Sequence, residues 1–260
     1  MKVLDPEKAA KLPGKRLAPG ESFRFECRPD LPCFGRCCRN LNLFLYPYDV
    51  ARLRKALGIS SAEFIDRYTH VVLRPGSFFP DVLLAMEENE EKTCPFLSGG
   101  ACTVYADRPD ACRTFPVEMG FFLDEQGNRE EVAFFRPPDF CLGKDQEAEF
   151  TAASWMEDQN ALVYHRMTLK WGELLSMITA DPWRGEGPEG PRARMAFMAA
   201  YNPDEFRRFV KESTFLQRHK VPRDVVKKIR TDDTELLLLA MDWIRLFLLG
   251  VLSKRVKPAG

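Results

Sequence analysis

The sequence predicts an α+β fold in two parts. Residues 23–145 read as a small, loop-rich module of short strands stapled by cysteine–metal bonds, and residues 146–260 as a helical region packed on it. Three observations carry this. All eight cysteines, Cys27, Cys33, Cys37, Cys38, Cys94, Cys102, Cys112 and Cys141, lie before residue 142. Short apolar segments bounded by Gly and Pro fill the same part. From about Gln146 the cysteines stop and helix formers dominate.

Residues 1–22, rich in Lys, Pro and Gly, read as an extended or mobile lead-in. Residues 23–27 alternate apolar and polar, which predicts a short strand entering the first cysteine group, and residues 41–45 form another short apolar segment. A helix is predicted over residues 47–57: Pro47 and Asp49 lie at its start, Val50, Leu53 and Leu57 share a face, and Gly58 stops it. Ser60 and Glu63 form a capping-box pattern for a second helix through about Thr69, with Phe64, Ile65 and Tyr68 on its apolar face. Residues 71–73 and 82–86 read as strands around a Pro/Gly turn, and the acidic run from Glu87 to Glu91 as a solvated turn.

Gly99 and Gly100 mark a turn between Cys94 and Cys102. Asp107, read as a cap, and Pro109 predict a short helix carrying Cys112. Residues 117–123 and 131–136 flank residues 124–128 in a hairpin pattern, whose aromatics Phe121, Phe122, Phe134 and Phe135 read as core. Residues 147–179 read as one long helix or a broken pair, and residues 181–191 as a loop. Asn202, Pro203 and Glu205 supply an N-cap, a proline at the first helical position and an acid at the third. Pro222 opens another short helix, and residues 232–254 close the chain with an apolar helix and a basic end.

Lys+Arg and Asp+Glu number 38 each, so no bulk charge draws the chain to nucleic acid or an anionic membrane, and neither is expected as a partner. The apolar run from Leu236 to Leu252 is broken by Asp242 and Arg245, which are costly in a bilayer. It reads as a buried or interface helix, and the C-terminal helices leave room for a protein partner. The first residues have no apolar signal-peptide core, so a cytoplasmic location is expected.

Without an export signal, clustered cysteines point to metal ligands or redox thiols rather than disulfides. Four lie within twelve residues, and short spacings bring soft ligands round one point at little loop-closure cost. Arg28, Arg36, Arg39 and Arg113 adjoin cysteines and would favour thiolates, and Cys112 near a helix start would gain from the dipole. Gly35, Gly100 and Gly143 would let backbone N–H groups approach sulfur. Arg39, Arg108 and Arg113 are candidates to contact a bound group, with ion pairs of Arg108 and Arg113 to Asp107 or Asp110 as the alternative. The spacings, with five, three, zero, seven and nine residues intervening within the two groups, match neither a zinc ribbon nor a bacterial ferredoxin. Eight thiols with a vicinal pair exceed what one structural zinc needs, so an iron–sulfur cluster, [4Fe–4S] in type, is expected first and Zn2+ second. His70, His165 and His219 are scattered and read as surface or core. No P-loop, dinucleotide-binding motif or Ser/His/Asp grouping is readable, and catalytic residues stay unassigned.

Residues 33–39 (Cys-Phe-Gly-Arg-Cys-Cys-Arg), Cys94-Pro-Phe-Leu, Gly100-Ala-Cys102-Thr-Val-Tyr105, Arg108-Pro-Asp-Ala-Cys112-Arg113-Thr-Phe-Pro116 and the later Cys141 resemble the YkgJ-type cysteine-cluster family. That family carries a C-x2-C-x2-CC motif and is described as zinc- or iron-chelating. This chain departs from the motif between Cys27 and Cys37, and the resemblance does not cover residues 150–260. It implies a cysteine-ligated metal site. Through the flagellin lysine methylase group among its relatives, it also implies an alternative: a cluster-dependent enzyme of methyl-transfer or redox type.

Overall fold

The computed structural model describes residues 2–3, 14–123 and 128–259. The fold is α+β, with helices and several small, mostly antiparallel sheets. The chain divides into two compact units, each made of two stretches: Met1–Leu43 with Ala85–Gly172, and Phe44–Leu84 with Glu173–Gly260.

In the first unit, Val117–Leu123 and Arg129–Phe135 form the expected hairpin, with Val117 opposite Phe135 and Leu123 opposite Arg129. Most of its turn, residues 124–127, lies outside the described residues, as do residues 4–13 of the lead-in. Lys2–Val3 adds a parallel strand on one side and Lys15–Leu17 an antiparallel one on the other. Phe121, Phe122 and Phe134 are buried, as core residues should be. Below the sheet a cluster of Leu17, Phe23, Phe25, Val117, Ala133, Cys141 and Trp155 is buried. Burial of such large side chains contributes roughly 1.5–3 kcal/mol each. Trp155 satisfies its indole N–H on the Thr114 carbonyl at 3.0 Å, which ties this core to the helix bearing Cys112.

Two expectations need correction here. The strand near residue 23 runs only over Ser22–Arg24, and its partner is Glu149–Thr151. Residues 149–151 therefore do not begin a helix: Phe150 pairs with Phe23 beside Trp155, and Phe and Thr both suit a strand. Helix begins at Ala152, where Thr151 Oγ1 accepts the Ser154 N–H at 3.1 Å. It ends at Asp158, and a second helix, Leu162–Ser176, follows a break at Asn160 (φ 51°).

In the second unit, Asp81–Leu84 lies between Phe44–Leu45 and Thr69–Val72. The helix Pro47–Leu57 starts with the Tyr46 N–H on Asp49 Oδ2 at 2.9 Å and stops at Gly58 in the left-handed region. Ser60 caps Ser61–Tyr68 through the Glu63 N–H, and Asn202 caps Pro203–Glu212 through the Glu205 N–H, both at 3.1 Å. The last helix, Asp233–Leu249, is shorter than expected because Gly250 ends it at φ 70°. Leu236 to Leu239 are buried, and Arg54 ties this helix to its neighbours through Asp233 (2.6 Å) and Asp204 (3.0 Å). No helix among the described residues is long and apolar enough to cross a membrane.

Candidate metal centre

All eight cysteines fall in the first unit, although residues 44–84, which separate the two cysteine groups in sequence, belong to the second. None of the eight cysteines is in a disulfide; Cys33 and Cys141 are buried, Cys27 is exposed and the others are half-buried.

Backbone pairing assembles one group. The Cys94 N–H donates to the Cys38 carbonyl at 2.8 Å, and the Asn40 N–H to the Lys92 carbonyl at 2.9 Å. Cys102 then returns beside Leu97 through the tight turn at Gly99 and Gly100. Gly35 fits against that turn. It holds φ 73°, and a Cβ there would lie 2.7 Å from the Gly100 carbonyl oxygen.

A separate set of contacts assembles the other group. The Phe25 N–H donates to the Ala148 carbonyl at 2.8 Å and the Glu26 N–H to the Gly143 carbonyl at 3.0 Å. Gly143 permits this approach, since a Cβ would meet the Phe25 ring at 2.7 Å and the Glu26 carbonyl oxygen at 2.8 Å. Cys141 is thereby brought near Cys33, and the Leu142 N–H donates to the Cys33 sulfur at 3.3 Å.

Cys37 and Cys38 lie on one 3₁₀ turn with sulfurs 4.0 Å apart. Cys112 sits in the five-residue helix Asp110–Thr114. Asp107 is not its cap: it ends the preceding 3₁₀ turn, and the chain enters the helix through Pro109. Buried Arg113 holds this helix in place. Its guanidinium donates to the carbonyls of Gln159 (2.9 Å) and Ala106 and to the Tyr164 hydroxyl (3.1 Å). Arg108 donates to the Tyr105 carbonyl (2.8 Å) and Gln159 Oε1 (2.7 Å) and stands in the field of Cys102 and Cys112. Arg39 donates to the Gly35 carbonyl at 2.6 Å and pairs with Glu91. Gln159, which anchors both Arg108 and Arg113 from 46 or more positions away, gives no sign of that role in the sequence.

Arg39 is the least of the effects acting on the Cys38 thiol, and the neighbouring thiol is the greatest. The hydrogen bond from Cys37 lowers Cys38 to about 7, opposed by burial and helped by Arg39, while the same contact and burial push Cys37 up. Elsewhere burial is the largest effect: it raises Cys27, Cys102 and Cys141, and holds Cys94 up at about 11. The arginines are turned to other partners, Arg28 to Glu26 and Asp30 and Arg36 to the Phe140 ring. Backbone N–H groups meet the sulfurs instead: Phe96 at Cys94, Val104 at Cys102, and Gly143 with Lys144 at Cys141. Three cysteines thus share one local arrangement, an N–H two residues on directed at the sulfur.

Among the described residues no three or more His, Cys, Asp or Glu side chains are drawn together as a ready metal site. The chemistry of the donor set nevertheless fits a soft or borderline metal. The donors are thiols, and N–H groups face four of the sulfurs, which favours the thiolate form that a metal binds. His165, by contrast, is buried on Glu131 at 2.8 Å and His219 bonds the Phe215 carbonyl at 3.0 Å, as core or surface histidines do.

Residues 26–142 match the model of the CxxCxxCC family, a "putative zinc- or iron-chelating domain". The match spans all eight cysteines and supports metal binding by this part of the chain. No curated protein and no solved structure matches the chain significantly.

Proposed function

We propose, from a chain whose residues 26–142 match a zinc- or iron-chelating domain, that the eight cysteines hold iron in iron–sulfur form. The observation that carries this is the gathering of eight thiols in one unit with backbone N–H groups on the sulfurs of Cys33, Cys94, Cys102 and Cys141. Hydrogen bonds to ligand sulfur stabilise the anionic thiolate and help set the potential of a cluster. An iron–sulfur group would supply one-electron chemistry; zinc in the same ligands would supply fold stability alone. Arg39 and Arg108 border the thiols and would offset part of their negative charge, while Arg113 positions the Cys112 helix.

Anaerobic purification tests this. The protein should be brown, with broad sulfur-to-iron absorbance in the visible and matching iron and acid-labile sulfide. Colourless protein carrying zinc would replace iron with zinc in the same ligands. Metal-free protein with eight freely titrating thiols and an unchanged fold would overturn metal binding itself.

A further inference from the structure

We propose that the adjacent thiols of Cys37 and Cys38 form a two-donor seat for a trivalent organic arsenical, held through two sulfur–arsenic bonds. This goes beyond the metal-binding reading above and does not depend on which metal the chain holds. Contact between the two sulfurs carries it. They lie 4.0 Å apart on the 3₁₀ turn Arg36–Cys38, and both residues are half-buried. The turn is fixed from several sides. The Gly35 carbonyl accepts the Cys38 N–H at 3.2 Å and the Arg39 guanidinium at 2.6 Å. The Cys38 carbonyl accepts the Cys94 N–H at 2.8 Å. The backbone under both thiols is thus ordered before a ligand arrives, and only side-chain torsions remain to be fixed.

The separation of the sulfurs selects what can join them. A disulfide needs sulfurs about 2.05 Å apart and Cα atoms usually about 4.4–6.8 Å apart, but neighbours along a trans peptide are about 3.8 Å apart. Two bonds of about 2.3 Å, the length of a zinc–sulfur bond, reach across 4.0 Å with room to bend at the bridging atom. An inserted soft atom therefore suits this pair better than a direct bond. Among the described residues no three or more His, Cys, Asp or Glu side chains are drawn together, so the pair offers two donors. Zinc asks for four, and copper(I) on two thiolates keeps a net negative charge, which burial opposes. An organic arsenoxide needs two thiols and gives a neutral product. Two arsenic–sulfur bonds form, the arsenic–oxygen bond breaks, and both thiol protons leave with the oxygen as water. Arsenic stays trivalent and no sulfur is oxidised.

The test uses the full-length wild type, reduced, freed of metal and desalted without oxygen, with phenylarsine oxide as the probe. Arg36 and Arg39 flank the pair, so trypsin releases Cys37 and Cys38 on one short peptide whose mass reports the bridge. At one equivalent, that peptide should carry the phenylarsenic group while the other six cysteines stay open to alkylation. Cys37→Ser and Cys38→Ser should each weaken uptake by roughly 10-fold or more, since one arsenic–sulfur bond is lost. Arsenic bridging another pair, or uptake unchanged in both serine variants, would overturn the seat. The wild-type peptide map decides the matter even if a serine variant fails to fold. A wild type that takes up no iron or zinc but bridges the arsenical here would overturn the metal-binding reading and leave the seat standing. One that takes up metal but bridges the arsenical elsewhere would overturn the seat alone.

Discussion

The backbone N–H of Leu142 donates to the sulfur of Cys33 at 3.3 Å across 109 positions of chain. The bond comes from the main chain at the first residue of the 3₁₀ turn Leu142–Asp145, and the Leu142 side chain is partly exposed. Proline is tolerated at a first helical position and lacks only the N–H. Leu142→Pro should therefore keep the fold and remove the donor. Zinc affinity, measured by competition with a chromophoric chelator, should fall on the order of 10-fold, at the low end of the effect of losing an outer-shell partner. Unchanged affinity would mean the N–H does not act on the sulfur.

Gly35 and Gly20 separate backbone strain from collision. Both hold positive φ, but a Cβ at Gly20 meets nothing within 4 Å, whereas one at Gly35 meets the Gly100 carbonyl at 2.7 Å. Gly20→Ala should cost only the left-handed conformation, roughly 1–2 kcal/mol. Gly35→Ala should cost more in urea unfolding and also lower bound metal, because the turn carrying Cys102 must shift. Equal losses in the two variants would dismiss the packing of Gly35 on that turn.

Arg113 is buried and spends its donors on two carbonyls and a hydroxyl. Lysine cannot reproduce that fork, so Arg113→Lys should destabilise the protein by about 2–3 kcal/mol in denaturant unfolding. A cost near zero would show that the fork is not what holds the Cys112 helix.

Burial raises the Cys94 thiol from its ordinary 9.0 to about 11, so the folded metal-free protein binds this proton more tightly than the unfolded chain. A raised value stabilises fully below the unfolded value and is lost as pH climbs through the folded one. The metal-free protein should thus lose stability to urea between pH 9 and 11. The metal-loaded protein, whose ligands are already deprotonated, should not show this loss. Parallel pH curves for the two forms would contradict the assignment of Cys94 as a ligand.

Much of the local structure could be read from residue order. Asn202, Ser60 and Gly58 act where their caps and stops were expected, and Gly99-Gly100 turns the chain between Cys94 and Cys102. These signals depend on a few neighbouring residues, so sequence alone can show them. The eight thiols and the flanking pattern from Cys33 to Cys141 likewise pointed to the chelating domain that residues 26–142 match.

Other features depend on distant partners. Glu149–Thr151 was expected inside a helix but forms a strand, because Phe150 lies opposite Phe23. The arginines beside the cysteines were expected to prepare the thiols for deprotonation. Most are instead engaged by carboxylates, carbonyls and rings, and backbone N–H groups face the sulfurs.

By itself, then, the sequence determined the α+β class, the caps and turns, and thiol chemistry over the first part of the chain. The tertiary structure alone decided that residues 44–84 join residues 173–260 in one unit while all eight cysteines gather in the other. It also decided which backbone groups reach which sulfur. Composition changes along the chain, but burial and hydrogen bonding are settled between surfaces that meet only after folding, as the 109 positions between Cys33 and Leu142 show.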